Sequence, residues 1–227
     1  LDFIFRRLGK SSFYPSDFEG LRPSSEIMNS SCLEKIAIRA LILNSVSTAY
    51  SELWESISSE LSPSNQEFSS AFSHWLKPIL INNKFREDII VRNSFQRRLL
   101  LIEIDVLAAI ALGLELKELE SIFTNCFSVY SSYEKTTSYD QNGRHFSSTN
   151  KQIGNVCLKD SELKKEYGTN WKDVLCGEDN VEKKYTDNSL SDSYSTSKIS
   201  FKPPIFFPDR ILEYRIAWDF FQNEGIN

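Results

Sequence analysis

The residues best suited to chemistry lie in the stretch YDQNGRHFSS, which spans residues 139–148. It contains His145, one of the two histidines of the chain, directly after Arg144. Histidine exchanges protons near neutral pH, and arginine can donate a pair of hydrogen bonds to a phosphate or to a base edge. The stretch is therefore a candidate for a small active site or for a nucleic-acid contact.

The same stretch predicts a β-hairpin. Asn142-Gly143 is the strongest signal for a two-residue turn, because both residues accept positive φ angles. The turn places Arg144 near the tip, where it would reach a phosphate, and pairing with Asp140 across the hairpin is the favoured structural alternative. His145 is interpreted as a solvated or stacking residue and not as a catalyst.

Two acids interrupt the most apolar segment, RRLLLIEIDVLAAIALGL, which predicts a buried helix that stops at Gly113. Glu103 and Asp105 lie about 200° apart around such a helix, so they do not converge on one substrate atom as a general acid and base would. Buried carboxylates are costly without partners. Structural pairing, with an arginine from elsewhere for each acid, is the favoured interpretation.

The sequence offers no other constellation for catalysis. It has no phosphate-binding glycine loop, no HExxH and no GxSxG motif, and His74 fits the end of a helix better than a catalytic role. The four cysteines form no CxxC pair, and the histidines are not at zinc-ligand spacing. We expect no catalytic residue, no metal, no cofactor held by this chain, and reduced thiols in a cytoplasmic protein.

The net charge of −5 argues against a wholly electrostatic nucleic-acid binder, so any DNA contact must come from a local basic patch. Basic residues cluster between positions 84 and 98, where the alternative is a solvated lead-in to the helix. The expected DNA contacts are Lys84, Arg86, Arg92, Arg97, Arg98, Arg144 and Lys151.

Apolar spacing predicts helices over about 32–60, 64–76, 99–112, 115–124 and 208–223. Ser64 and Glu67 fit a capping box for the second of these. The fold class predicted is α+β, with a mainly helical core, a β-hairpin and long polar loops that contain a short helix near 160–167 and a flexible segment at 186–198. A single domain over 1–227 divides into a loop-rich lead-in (1–31), a helical core (32–125), the hairpin and polar loops (126–200), and a closing strand and helix (201–227).

The longest apolar run holds two acids and is too short to span a membrane, so no membrane partner is expected. The chain opens without a methionine, with apolar residues before Arg6 and Arg7, which is the reverse of a signal peptide. We interpret it as a piece of a longer protein.

Three segments in order carry a family resemblance: residues 97–123, residues 127–155 with the YDQNGR sequence, and PPIFFPDRILEYRIAWDFF at 203–221. Together they resemble the C-terminal region of very large bacterial N6-adenine DNA methyltransferases of the type IIG and phage-defence (BREX- or DISARM-like) kind. The residues expected to be buried or structural are Glu103, Asp105, Asp209, Arg210, Tyr214, Arg215 and Trp218.

The resemblance implies that the methyl-transfer domain and its S-adenosylmethionine site lie upstream of this chain. The chain would then be a non-catalytic C-terminal module of a restriction or antiphage enzyme, with roles in DNA engagement or assembly. Its partners would be the upstream methyltransferase domain or a defence subunit, and double-stranded DNA. The alternative, favoured by the acidic balance, is a protein-interaction or structural module without DNA contact. A self-contained nuclease would need clustered carboxylates and an acid-x-Lys pattern, which EIDVL lacks.

Overall fold

The computed structural model describes residues 31–61, 67–76, 84–147, 152–153, 156–157, 165, 181–187 and 195–223. The chain groups into two compact units, each taken by itself below. The first comprises Leu1–Val91, Leu99–Ser131 and Ile211–Asn227. The second comprises Arg92–Arg98 and Ser132–Arg210. The single domain and its four internal segments stay a prediction.

The described residues confirm a mainly helical fold with hairpins. The helices are α1 (Ser31–Asn44), α2 (Ser51–Glu60), α3 (Ser73–Leu76), α4 (Ser94–Ala111), α5 (Leu116–Ser121), α6 (Ser128–Glu134) and α7 (Arg210–Asn223), with a π-helical turn at Ile122–Cys126. The strands are β1 (Thr137–Tyr139), β2 (His145–Ser147), β3 (Gln152–Ile153), β4 (Val156–Cys157), β5 (Val181–Asp187) and β6 (Ser195–Phe201). Each strand pairs antiparallel with its neighbour in sequence, as β1–β2, β3–β4 and β5–β6.

The core of the first unit is built on the apolar part of α4. The apolar run over 99–112 predicts a helix that is buried on most sides, and the structure buries it up to Ala109, apart from exposed Leu101, while Leu112 at its end is also exposed. The fully buried apolar side chains of this unit come from α1, α2, α3, α4 and α7: Cys32, Ile38, Ile42, Trp54, Leu76, Leu99, Leu100, Ile102, Val106, Leu107, Ala217 and Phe221. Burial of such side chains is the main stabilising contribution.

The end of α4 is the stop that the sequence predicts. Gly113 has a φ of +70°, and its N–H donates to the carbonyl of Ile110 at 2.9 Å. The N–H of Leu114 donates to the carbonyl of Ala109, also at 2.9 Å. These two bonds form a Schellman motif, which satisfies carbonyls that the helix leaves without partners.

The predicted helix over 32–60 is wrong at its middle, because the structure breaks it into α1 and α2. Ser47 is fully extended, with φ −157° and ψ 170°, and a short 3₁₀ turn at Thr48–Tyr50 leads into α2. The side-chain amide of Asn44 donates to the carbonyl of Ala40 at 2.7 Å. Short polar side chains that bond nearby backbone compete with helix propagation, and Asn44 and Ser47 are such residues.

The predicted helix over 64–76 is also shorter in the structure. Ser64 lies outside the described residues, Ser70–Phe72 form a 3₁₀ turn, and only α3 is α-helical. The backbone just before the turn is bonded elsewhere: the carbonyl of Glu67 accepts from Arg39, and the N–H of Ser69 donates to Glu103. Tertiary hydrogen bonds have replaced the helical ladder there.

Two further segments differ from their predictions. Residues 128–134, predicted as irregular, form α6, and the described ends of the predicted flexible segment at 186–198 belong to the long β5–β6 pair. The lead-in over 1–31 and the short helix near 160–167 lie outside the described residues, apart from Ser31 and the helical Lys165.

Candidate nucleic-acid interface

The hairpin lies where the sequence places it, but its turn is longer than predicted. Tyr139 is paired directly with His145, the N–H of Asp140 donates to the carbonyl of Arg144 at 3.1 Å, and the N–H of Gly143 donates to the carbonyl of Asp140 at 2.9 Å. The loop is therefore Gln141, Asn142 and Gly143, with Gly143 at a φ of +73°. The prediction of a two-residue Asn-Gly turn is therefore wrong. The geometry is a three-residue hairpin loop whose last residue takes the left-handed conformation.

A fully buried carboxylate shapes this loop. Oδ1 of Asp140 accepts from the backbone N–H groups of Asn142 at 3.0 Å and Arg144 at 2.8 Å. Oδ2 accepts from the backbone N–H of Lys202 at 3.0 Å. The Asp140–Arg144 contact expected across the hairpin is thus present, but through the backbone of Arg144. A carboxylate that accepts several N–H groups fixes the backbone around it.

The outer side of β1 is tied to the chain that returns after β6. Tyr139 and Phe206 exchange two backbone hydrogen bonds of 2.9 Å, and Gln141 N–H donates to the carbonyl of Lys202 at 2.8 Å. The rings of Phe95, Tyr139 and Phe206 stack against one another, with centroids 5.0–6.1 Å apart. Aromatic clusters of this kind add rigidity to a short hairpin.

The first turn of α4 meets the same loop through Asn93, its N-cap. Oδ1 of Asn93 accepts from Phe95 N–H at 2.9 Å and from Gln96 N–H at 3.2 Å, and its amide donates to the carbonyl of Asn142 at 2.6 Å. Phe95 N–H also donates to the carbonyl of Gly143 at 3.1 Å. We call this contact between the α4 N-terminus and loop 140–144 the hairpin–helix junction.

The junction brings together basic residues that are far apart in sequence. Exposed Arg92 directly precedes Asn93, and exposed Arg144 directly follows Gly143. Half-buried Arg97 lies one turn into α4, where its N–H donates to the carbonyl of Asn93 at 3.0 Å. Three of the seven expected DNA contacts therefore border one rigid junction.

The other expected contacts lie elsewhere. Lys84 and Arg86 are exposed in the first unit, where Arg86 forms an ion pair with Asp88, and Lys151 lies outside the described residues. The prediction that Arg98 contacts DNA is wrong, because the side chain of Arg98 is buried and donates to Glu134 at 2.5 Å. Helical phase separates it from Arg97, which is rotated by about 100° around α4.

Glu134 accepts from two buried arginines in the second unit. Arg98 and Arg210 both donate to its Oε1, at 2.5 and 2.8 Å. Burial by itself raises the pKa of the Glu134 carboxyl, but the hydrogen bonds and charges of Arg210 and Arg98 outweigh it, so the pKa is lowered from its usual value. This cluster is a structural ion-pair network.

The two acids of α4 also have structural partners. Arg39 and Glu103 are both 0% exposed, with Nε of Arg39 2.7 Å from Oε2 of Glu103. The contact with Arg39 confirms that the partner of Glu103 is an arginine from elsewhere in the chain. The backbone N–H of Ser69 donates to the other carboxylate oxygen, Oε1, at 2.8 Å. Burial raises the pKa of Glu103, against the opposing effect of Arg39. Asp105 accepts from the hydroxyl of Tyr214 at 2.7 Å.

The remaining residues expected to be buried divide in two. Arg210 and Tyr214 are buried and Trp218 is half-buried, in agreement with the prediction. Asp209 and Arg215 are exposed, so the prediction of burial is wrong for both, while Arg215 has a structural contact in its ion pair with Glu120 at 2.7 Å. Arg215 lies on the side of α7 that is turned away from the buried face, and Asp209 directly precedes the helix.

Both histidines sit against aromatic rings. His145 faces the ring of Tyr139 edge-on at 5.9 Å, and partial burial lowers its pKa from the usual value, so the neutral form predominates near neutral pH. His74 lies in the last turn of α3, with its ring 5.3 Å from that of Trp75. His145 is thus a stacking residue and His74 a helix-end residue.

Within the part of the chain that the structure describes, no group of three His, Cys, Asp or Glu side chains is placed to hold a metal ion. Among the same residues, no helix combines the length and apolar character needed to cross a membrane. Neither a family model, nor a curated protein, nor a solved structure matches the chain.

Proposed function

We propose that this chain is a non-catalytic C-terminal module of an N6-adenine DNA methyltransferase of a restriction or antiphage system, and that it contacts the phosphate backbone of double-stranded DNA through the hairpin–helix junction. The observation that carries the DNA contact is the convergence of Arg92, Arg97 and Arg144 on one junction. The upstream domain would hold S-adenosylmethionine, in line with the sequence resemblance.

The junction suits a phosphate for three physical reasons. Arginine donates paired hydrogen bonds to phosphate oxygens, and the positive end of the α4 dipole lies at Asn93. The backbone that carries Arg144 is fixed by Asp140 and Asn93, so binding does not have to order the loop. The only acid within the loop, Asp140, already accepts backbone N–H groups, which offsets its charge locally.

A salt titration of the full chain on a duplex oligonucleotide tests this proposal. Each phosphate neutralised contributes about −0.9 to the slope of log K against log salt, so three contacts give a slope of about −2.7 and a loss of about 40-fold between about 50 and 200 mM salt. We expect Arg144→Ala and Arg92→Ala each to reduce the slope by about 1.

Arg215→Ala is the matched control, because Arg215 is exposed and belongs to the first unit, away from the predicted contacts in sequence. It should leave both affinity and slope unchanged. Binding that does not respond to salt, or equal losses for Arg215→Ala and Arg144→Ala, would refute the DNA contact. The proposal that the chain belongs to a DNA methyltransferase has a separate test: the reading frame upstream of Leu1 should encode methyltransferase motifs.

A module that assembles with another protein and does not touch DNA is the second candidate. The observation that favours it is a set of exposed apolar side chains at Val46, Tyr50 and Leu53, within an acidic part of the chain. Under this alternative the duplex titration shows no specific binding, while a protein ligand engages the apolar side chains.

A further inference from the structure

The hairpin loop exposes one polar side chain that the fold itself does not use. Of the three loop residues, Gly143 has no side chain, and the side-chain amide of Gln141 donates to the carbonyl of Pro204 at 2.5 Å. Asn142 is exposed, and its side-chain amide has no hydrogen-bond partner among the described residues. An acceptor and two donors are therefore available to a ligand at the tip of the hairpin.

The backbone that carries Asn142 is fixed on both sides. Its N–H donates to Oδ1 of Asp140 at 3.0 Å, and its carbonyl accepts from the side-chain amide of Asn93 at 2.6 Å. The next residue, Gly143, donates its N–H to the carbonyl of Asp140 at 2.9 Å. A ligand that binds the Asn142 amide therefore has to order only that side chain, which favours affinity and selectivity.

A lysine outside the predicted DNA contacts lies at the same loop. Lys202 is exposed, its N–H donates to Oδ2 of Asp140 at 3.0 Å, and its carbonyl accepts from the N–H of Gln141 at 2.8 Å. One oxygen of the Asp140 carboxylate thus holds the backbone of Lys202, and the other holds the backbone of Arg144. A single buried acid positions two cations from segments that are distant in sequence.

Cations therefore flank the loop at both of its ends. Lys202 is bonded to Gln141, the first loop residue, and Arg92 directly precedes Asn93, which bonds the carbonyl of Asn142. The uncharged amide of Asn142 lies between them. In protein–DNA complexes, phosphate contacts fix the position of the protein, and side chains between those contacts read the base edges.

We propose that the tip of loop 140–144 enters the major groove of the duplex, where Asn142 bonds the edge of an adenine and Lys202 contacts a phosphate beside it. The major groove admits a two-stranded β-ribbon. Asparagine forms two hydrogen bonds with adenine there, one donated to N7 and one accepted from the N6 amino group, whereas guanine presents two acceptors. The inference rests on the proposed DNA contact and adds the base that this contact selects.

The experiment compares binding of the full chain to two duplexes of about 20 base pairs, or about two helical turns, in which adenine and thymine alternate. In the second duplex 7-deazaadenine replaces adenine, which removes N7 from the major groove and leaves the phosphate charge and the minor-groove pattern unchanged. We expect the adenine duplex to bind about tenfold more tightly, equivalent to about 1.4 kcal/mol, because the Asn142 amide loses its acceptor in the other.

Two variants assign the preference to this side chain. Asn142→Ala removes the amide, and Asn142→Asp keeps its shape but cannot donate to N7, so both should bring the ratio of the two affinities to about one. Because the ratio is compared, a general loss of affinity from a disturbed loop does not imitate this result. Asn125→Ala is the matched control, an exposed asparagine of the first unit, and should keep the ratio of the native chain.

The phosphate contact of Lys202 has its own readout. Lys202→Ala should reduce the slope of log K against log salt by about 0.9 and leave the ratio of affinities unchanged, because a phosphate contact carries no base preference. Lys135→Ala is the matched control, an exposed lysine of the same unit that precedes β1, and should leave both quantities unchanged.

Three results would overturn the inference while the DNA contact stands. They are salt-dependent binding of both duplexes with equal affinity, a preference for adenine that both Asn142 variants retain, and equal slopes for the native chain and Lys202→Ala. An absence of salt-dependent binding to either duplex would instead remove the DNA contact and this inference with it, so the two failures are distinguishable.

Discussion

The buried pair Arg39–Glu103 should be strongly coupled. Both side chains are fully buried, and Arg39 also donates to the carbonyls of Lys35 and Glu67 at 2.8 and 2.7 Å. Its guanidinium lies between the rings of Phe68 and Phe221, 5.0 and 5.2 Å from their centroids. Removal of either charge leaves the other buried without its partner.

We expect Glu103→Leu to reduce the free energy of unfolding by about 3–5 kcal/mol in the native chain. Two costs contribute: a buried guanidinium without its carboxylate, and the loss of the Ser69 N–H acceptor. In the background of Arg39→Met the same substitution removes an unpaired buried carboxylate, so we expect it to be neutral or stabilising there. The difference between the costs in the two backgrounds is the coupling energy of the pair, which should be at least about 3 kcal/mol.

Urea unfolding followed by circular dichroism measures all four chains of this double-mutant cycle. Because total stabilities are about 5–15 kcal/mol, the single variants should show clearly lower midpoints. Arg86→Met is the control: the Arg86–Asp88 pair is solvent-exposed, and its loss should cost less than about 1 kcal/mol. If Glu103→Leu destabilises equally in both backgrounds, the reasoning from burial is refuted.

The direction in which the stability of the Arg39→Met variant changes with pH follows from the pKa of Glu103. In the Arg39→Met variant burial raises the folded pKa of Glu103 without the opposing arginine, so the folded state binds the proton more tightly than the unfolded state does. Its stability should therefore increase as pH falls through the raised pKa toward the unfolded value. A variant whose deficit stays constant from neutral pH down to about pH 5 would contradict this.

Two further predictions concern the second unit. Gly143→Ala should cost about 2–3 kcal/mol, because φ is +73° and the new Cβ would collide with the Asn93 side chain, whereas Gly113→Ala, at φ +70° in open space, should cost only about 1–2 kcal/mol in urea unfolding; equal costs would remove Asn93 from the explanation. Because the folded pKa of Glu134 is lowered, its stabilising contribution is present above its unfolded pKa and lost as pH falls through the folded pKa, so the stability gap between the native chain and Glu134→Gln should narrow in acid unfolding titrations; a gap that stays constant or widens as the pH falls below the unfolded pKa would contradict the assignment.

The sequence was sufficient to predict those elements whose structure depends on residues close together in the chain. The continuous apolar run of α4 and the Gly113 stop depend on residues within a few positions of one another, and both are present in the structure. The position of the β1–β2 hairpin follows from its local turn signal for the same reason. Long, strongly patterned segments leave few alternatives.

Contacts that depend on distant residues were missed or only half predicted. A partner for Glu103 was expected, but its identity as Arg39 requires knowing that residues 64 positions apart meet. Arg97 and Arg98 are neighbours in sequence, and only the position of Glu134 decides that Arg98 is the buried one. Because Glu134 lies in a segment predicted as irregular, nothing in the sequence pointed to it. The length of the hairpin loop was likewise set by Asp140 and Asn93, which bond the loop from outside the Asn-Gly pair.

The hydrogen bonds that join β1 and Asp140 to residues 202–206 determine where the sequence can tolerate insertions and deletions. Asp140 holds the N–H of Lys202, and Tyr139 exchanges two hydrogen bonds with Phe206, so the entry and exit of the intervening sequence are clamped side by side. Each doubling of a closed loop adds only about 0.6 kcal/mol of entropic cost. The sequence after β2 ends at Ser147 and before β5 begins at Val181 can therefore change in length at small entropic cost, while the clamp, Arg144 and β2 keep their positions.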